Sequence, residues 1–96
     1  MRKSQKSKES KPDNIFRDLG FSETESSNLL LRSQLMLATR KAITAKGLSQ
    51  IEAAKILEVG QPRLSNLYNG KIDRFTIDAL VNFLSRLDKK VKIVVE

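Results

Sequence analysis

Two residues, Val59 and Gly60, separate one capped helical segment from the next. That spacing constrains this chain more than any other feature. Ser49-Gln50-Ile51-Glu52 has the pattern of a capping box, in which a hydroxyl and a carboxylate three residues apart satisfy each other's free backbone N–H. Ala53, Ala54, Ile56 and Leu57 follow, which predicts a helix over about Gln50–Glu58. Gln61-Pro62-Arg63-Leu64 then opens another helix. Proline is tolerated there because the first helical turn does not use its N–H. Asn69-Gly70 ends this segment after about Tyr68. Helices joined so tightly must cross steeply, and a steep crossing needs a small residue at the contact. Ala54 supplies it.

Ala53, Leu57, Val59, Leu64 and Leu67 fall at the inward positions of a helix-turn-helix unit. Gly60, Gln61, Pro62, Ser65 and Asn66 are small or polar and are expected to face outward. Upstream, Ile15, Leu19 and Gly20 predict a short helix over Asn14–Leu19. Ser22-Glu23-Thr24-Glu25 is a second capping box and opens a longer helix that stops at Gly47. Leu31, Leu35, Ala38 and Ala42 form its expected apolar face, widened by Leu30, Met36, Leu37 and Ile43. Downstream, Thr76 caps a helix with Ile77, Leu80, Leu84 and Leu87 on one face. Val91, Ile93 and Val95 alternate with Lys92 and Val94, the pattern of a strand. A lone strand leaves its backbone groups unpaired. Pairing with the same strand of a second copy, in a two-fold dimer, resolves this.

The expectation is therefore an all-α bundle, residues 14–96, closed by a dimerisation strand at 91–95. The chain has 96 residues, enough for one small core. There is no Cys and no His, which excludes disulfides, thiolate or imidazole metal sites, and Cys- or His-based catalysis. No Gly-rich phosphate loop or paired-carboxylate constellation points to an enzyme, and no cofactor is implied. No apolar run reaches the ~20 residues that span a bilayer, and no signal peptide is evident. A cytoplasmic protein is expected. The net charge is +7. Much of it lies in residues 1–13, which carry Arg2, Lys3, Lys6, Lys8 and Lys11 against Glu9 and Asp13. That segment has nothing apolar after Met1 and is expected to be a disordered basic tail. It would be either a solvated tail or an arm that reaches DNA.

An uncharged, hydrogen-bonding face on so short a helix suits base edges in a DNA major groove. The stretch Gly47–Gly70, GLSQIEAAKILEVGQPRLSNLYNG, resembles the helix-turn-helix of the phage-repressor/Cro family, also called the XRE family. The match rests on Gly47-Leu48-Ser49-Gln50, Ala54, Leu57, Val59 and Asn69-Gly70. It implies a lambda-repressor-like fold. Over residues 14–96, Leu19-Gly20-Phe21, Leu29–Arg32, Gln61-Pro62-Arg63 and Gly70-Lys71-Ile72 are similar to HigA-type antitoxins. Those are DNA-binding partners of small RelE-like ribonuclease toxins. Two positions depart from the family pattern. Glu58 stands where Gly is frequent, and Gly60 stands where Ser or Thr usually caps the recognition helix.

Geometry and resemblance together assign roles. Gln61 and Asn66 are expected to contact bases, Gln61 by bonding adenine bidentately. Pro62 would touch a thymine methyl, and Arg63 would read guanine or clamp a phosphate. Gln50, Ser65, Asn69, Lys71 and Arg74 would meet the phosphate backbone. The implied partners are double-stranded DNA, a second copy of the chain and a ribonuclease toxin. A free-standing regulator without a toxin, and an interaction adaptor that has lost DNA binding, are the alternatives.

Overall fold

Five α-helices and one 3-10 turn account for the regular structure in the computed structural model, which describes residues 14–96. They are α1 (Asn14–Asp18), α2 (Glu23–Ala45), α3 (Gln50–Leu57), α4 (Gln61–Tyr68) and α5 (Ile77–Arg86), with the 3-10 turn at Ile72–Arg74. The expected basic tail, residues 1–13, lies outside the described residues. The described residues divide into two compact units, one ending at Leu31 and the other running over Arg32–Glu96, with α2 beginning in the first and continuing into the second.

In the first unit, Gly20 takes a φ of +97° just after α1, a conformation that costs an L side chain about 1–2 kcal/mol. The turn then leads into the expected cap. The Glu25 N–H donates to Ser22 Oγ at 3.1 Å, and the Ser22 N–H donates to Glu25 Oε1 at 3.2 Å. Arg17 and Glu23 pair at 2.9 Å across the same turn. Phe16 and Phe21 meet edge to face, with centroids 6.4 Å apart.

The second unit holds the apolar core. Ala53, Ala54 and Leu57 of α3 are buried with Leu64 and Leu67 of α4 and Leu80, Phe83 and Leu84 of α5. Leu35, Met36, Ala42 and Ile43 of α2 join the same cluster, as do Phe75 and Leu87. The inward set expected of α3 and α4 is thus buried, except that Val59 is only half-buried. Of the apolar face expected for α2, Leu35, Met36, Ala42 and Ile43 are buried, whereas Leu31 and Leu37 are each 44% exposed and Ala38 is exposed, and Thr39, outside the expected face, is buried. Thr39 is tolerated there because its hydroxyl donates to the Leu35 carbonyl at 2.7 Å, one turn back.

The chain turns between α3 and α4 through Glu58, which ends α3 in the left-handed conformation at φ 59°, ψ 45°. The Glu58 N–H donates to the Ala54 and Lys55 carbonyls, which closes the helix end. The position that favours glycine is therefore held by a glutamate, at a cost of about 1–2 kcal/mol. Its carboxylate reaches across to α5, where Arg86 donates to Glu58 Oε2 at 2.7 Å. Both partners are substantially exposed, and such pairs contribute about 0–1 kcal/mol.

The C-terminal expectation requires correction. Residues 91–96 form no strand, and no strand occurs among the described residues. A ladder needs a second strand, and the described residues offer none. Ile93, Val94 and Val95 are instead 83%, 83% and 88% exposed. Val91 helps to line a groove of about 460 Å³, together with Leu35, Ala38, Ala42, Leu84 and the lysines Lys41 and Lys89.

The strained turn yields a salt-dependent expectation. In Glu58→Gly the left-handed strain is relieved but the pair with Arg86 is lost. Thermal unfolding should show a gain in stability that is larger at high salt, where the pair is screened, than at low salt. Equal destabilisation at both salt concentrations would contradict this reading of the turn.

Candidate nucleic-acid interface

The two helices of the motif begin differently. Ser49 caps α3 in extended conformation, accepting the Glu52 N–H on its Oγ at 3.1 Å. The Glu52 carboxylate in turn accepts the Ser49 N–H at 2.8 Å. This reciprocal cap places Gln50 in the first turn, exposed, where backbone N–H groups and the helix dipole favour an anion. The Ser49 N–H, then the Ser49 hydroxyl, hold the Glu52 carboxyl below its ordinary range, with Lys55 adding a smaller effect.

Gly60 begins α4 at φ −81°, ψ 169°, with no side chain to cap the helix. A Cβ on Gly60 would meet only Pro62 Cδ, at 3.6 Å, which is ordinary contact. Sterics therefore do not demand glycine at this cap. Pro62 lies in the first turn, as its missing N–H allows.

The burial of Leu64 and Leu67 turns the opposite side of α4 outward. Gln61, Pro62, Ser65 and Asn69 are exposed, and Asn66 is half-buried. Asn69 Nδ2 donates to Ser65 Oγ at 3.2 Å, so these two expected phosphate contacts sit together one turn apart. After α4 the chain folds back. The Lys71 N–H donates to the Asn66 carbonyl at 3.0 Å, and the 3-10 turn follows. The Lys71 and Arg74 side chains are exposed, with Arg74 Nε 3.8 Å from Asp73.

Arg63 is the member of the expected reading set that points elsewhere. It is half-buried, with its guanidinium carbon 4.7 Å from the centre of the Phe75 ring and 5.8 Å from that of Phe83. It also donates to the Arg74 carbonyl at 3.2 Å. The negative faces of two aromatic rings attract the cation, and the carbonyl accepts its N–H. The free protein thus places Arg63 against the core.

Residues 15–96 match the family model of a helix-turn-helix domain. A solved structure assigned to the XRE family of transcriptional regulators is 32% identical over 75% of this chain and 81% of that one, with a TM-score of 0.70. The chain belongs to the XRE-type helix-turn-helix family. No curated protein matches it. As an XRE-type helix-turn-helix, the motif runs from the Ser49 cap through α3, the Glu58 turn and α4. No helix among the described residues is long and apolar enough to cross a membrane.

Several positions went unnoticed in the sequence. Phe75 is 1% exposed and Phe83 6%, and their rings meet edge to face at 6.1 Å. A signal for Phe75 existed. It precedes the Thr76 cap of α5 and stands in staple relation to Leu80, four residues into the helix. Arg32 and Arg40 of α2 carried no local signal, because their partners lie far along the chain. Arg32 donates to the Ile72 and Phe75 carbonyls at 3.2 and 3.3 Å, and Arg40 donates to the Tyr68 carbonyl at 3.2 Å.

The α3 cap makes a pH-dependent contribution. The folded-state pKa of Glu52 is depressed, so its contribution is complete above the ordinary carboxylate range. It is lost as pH falls through the lowered folded value. Glu52→Gln should flatten the acid limb of the stability–pH curve measured by chemical denaturation. An acid limb identical to that of the wild type would remove Glu52 from the account.

Proposed function

We propose that this protein is a sequence-specific DNA-binding repressor that acts as a homodimer, with α4 as its recognition helix. The outward face of α4 carries this reading. Gln61, Pro62, Ser65 and Asn69 are exposed, uncharged and mounted on a helix whose other side is locked into the core. Gln61 and Asn66 contact bases, with Pro62 against a thymine methyl. Gln50, Ser65, Asn69, Lys71 and Arg74 meet phosphates on either side. The solved relative, assigned as an XRE family transcriptional regulator, supports the same reading. The operator is a palindrome whose half-sites lie about 34–36 Å apart or a multiple of it. The protein works in the cytoplasm.

The dimer forms through the C-terminal segment that carries Val91, Ile93 and Val95. Their exposure, together with the apolar groove beside Val91, supports this. Deleting Val91–Glu96 should give a species that sediments as a monomer and binds a palindrome far more weakly. A truncated protein that stays dimeric at low micromolar concentration would place the interface elsewhere.

Within this role we favour an antitoxin that neutralises a RelE-like ribonuclease toxin and represses its own operon. The resemblance of residues 14–96 to HigA-type antitoxins supports it. The segment Ile15–Phe21 and the basic tail lie outside the helix-turn-helix and are the candidate toxin-binding elements. The second reading is a free-standing regulator without a toxin, favoured by the plain regulator description of the solved relative. Co-expression with a ribonuclease encoded by the adjacent reading frame separates them. Rescue of growth supports the antitoxin, and toxicity that this protein does not relieve supports the regulator.

The base-reading assignment has its own test. Gln61→Ala should relax sequence preference at one position per half-site by ~1–3 kcal/mol, read by selecting bound sequences from a random pool. Unchanged preference in both Gln61→Ala and Asn66→Ala would overturn the recognition assignment.

A further inference from the structure

The segment that follows α4 closes its turns with backbone hydrogen bonds, from the Lys71 N–H to the Asn66 carbonyl, the Arg74 N–H to the Lys71 carbonyl and the Phe75 N–H to the Ile72 carbonyl. Between Tyr68 and Phe75 it contains one 3-10 turn, whose preceding residue makes no side-chain cap. Ile72 is half-buried and Phe75 is buried, while Lys71, Asp73 and Arg74 are exposed. Its carbonyls are in addition held from outside by three arginines drawn from two helices. Arg40 of α2 donates to the Tyr68 carbonyl at the C-terminal end of α4. Arg32 of α2 donates to the Ile72 and Phe75 carbonyls. Arg63 of α4 donates to the Arg74 carbonyl and stacks on Phe75 and Phe83.

Two physical points make this arrangement informative. Cations at a helix C-terminus and on backbone carbonyls are favourable, because these are the negative ends of peptide dipoles. The guanidinium is also a planar fork, able to stack on a ring while it donates along its edge. The arrangement has an electrostatic consequence. Arg32, Arg40 and Arg63 are gathered around a segment that already carries Lys71 and Arg74, with Asp73 its one carboxylate. Five cations thus gather at one segment, and a polyanion placed against it is attracted by their summed charge.

We propose that Arg32, Arg40 and Arg63 form a carbonyl clamp that positions the 68–75 segment as a phosphate-binding arm. Arg63 is then a positioning residue acting through Arg74. The proposal rests on the reading that Lys71 and Arg74 meet DNA phosphates. In the clamp, Arg63 keeps its guanidinium over the Phe75 ring and fixes the backbone from which the Arg74 side chain projects. Specific reading by Gln61 and Asn66 is a separate matter. Arg63 governs how firmly the complex is held on any sequence.

The test is a double-mutant cycle on the full chain, read by binding to a short duplex of mixed sequence across a salt series. Arg63→Met keeps the apolar stem against the rings and removes the guanidinium. Arg63→Met and Arg74→Met should each weaken binding several-fold. In the Arg63→Met background, the further effect of Arg74→Met should shrink to near one-fold. Gln50→Ala, on α3 and outside the clamp, should instead multiply independently with Arg63→Met. That contrast separates local positioning from general loosening of the fold, and far-ultraviolet circular dichroism confirms that each variant is folded. Independent effects of Arg63→Met and Arg74→Met would overturn the clamp, because each arginine would then be acting alone. Equal coupling of Arg63→Met to Gln50→Ala and to Arg74→Met would also overturn it, as the mark of a general structural role. Failure of the wild-type protein to bind the duplex is a different result, and it would refute the phosphate-contact reading beneath the proposal.

Discussion

The short turn from α3 to α4 is the constraint on which the rest of this structure depends. Three residues, Glu58 to Gly60, reverse the chain between two eight-residue helices. Helices of that length are marginal alone and rely on tertiary packing. Ala53 and Ala54 allow close approach, Leu57, Leu64 and Leu67 fill the contact, and α5 closes it with Leu80, Phe83 and Leu84. Once Leu64 and Leu67 are committed inward, the helical repeat leaves Gln61, Pro62, Ser65 and Asn69 outside. The candidate reading face is therefore a consequence of core packing.

The turn also shows how a less favoured residue is accommodated. Glu58 adopts a left-handed backbone that glycine would take without strain. The strain is offset by backbone hydrogen bonds that close α3 and in part by the pair with Arg86. A strained residue here costs a fraction of a small domain's stability, which is about 5–15 kcal/mol in total. The crossing of α3 and α4 survives because the buried leucines and alanines hold it more strongly than one backbone angle opposes it.

Much of this was legible in the sequence, and the reasons are local. Capping boxes at Ser22 and Ser49, a proline in the first turn of α4, and Thr76 before α5 are signals within four residues of the ends they mark. Each marked end formed within a residue or so of its expected place. The alternation of α3 and α4 residues between core and surface was legible for the same reason. What the sequence did not disclose was non-local. Thr39 of α2 is buried while Leu31, Leu37 and Ala38 are exposed, because the groove presented by the other helices, not the helical repeat alone, decides which stripe is buried. Arg63 was expected at the groove and lies on Phe75 and Phe83, rings that follow it by more than ten residues. Arg32 and Arg40 bind carbonyls 28 to 43 residues away. The strand expected at 91–95 needs a neighbouring strand, and the described residues contain none.

We infer that the exposed side of α4 and the segment after it form the surface that meets DNA. Backbone amide shifts of the isotopically labelled protein, followed during titration with a short duplex, test this most directly. The largest changes should fall on residues 61–69 and 71–74 and at the first turn of α3, with the core amides of α5 nearly still. Changes concentrated on α1 or along the exposed side of α2, with α4 unaffected, would contradict it.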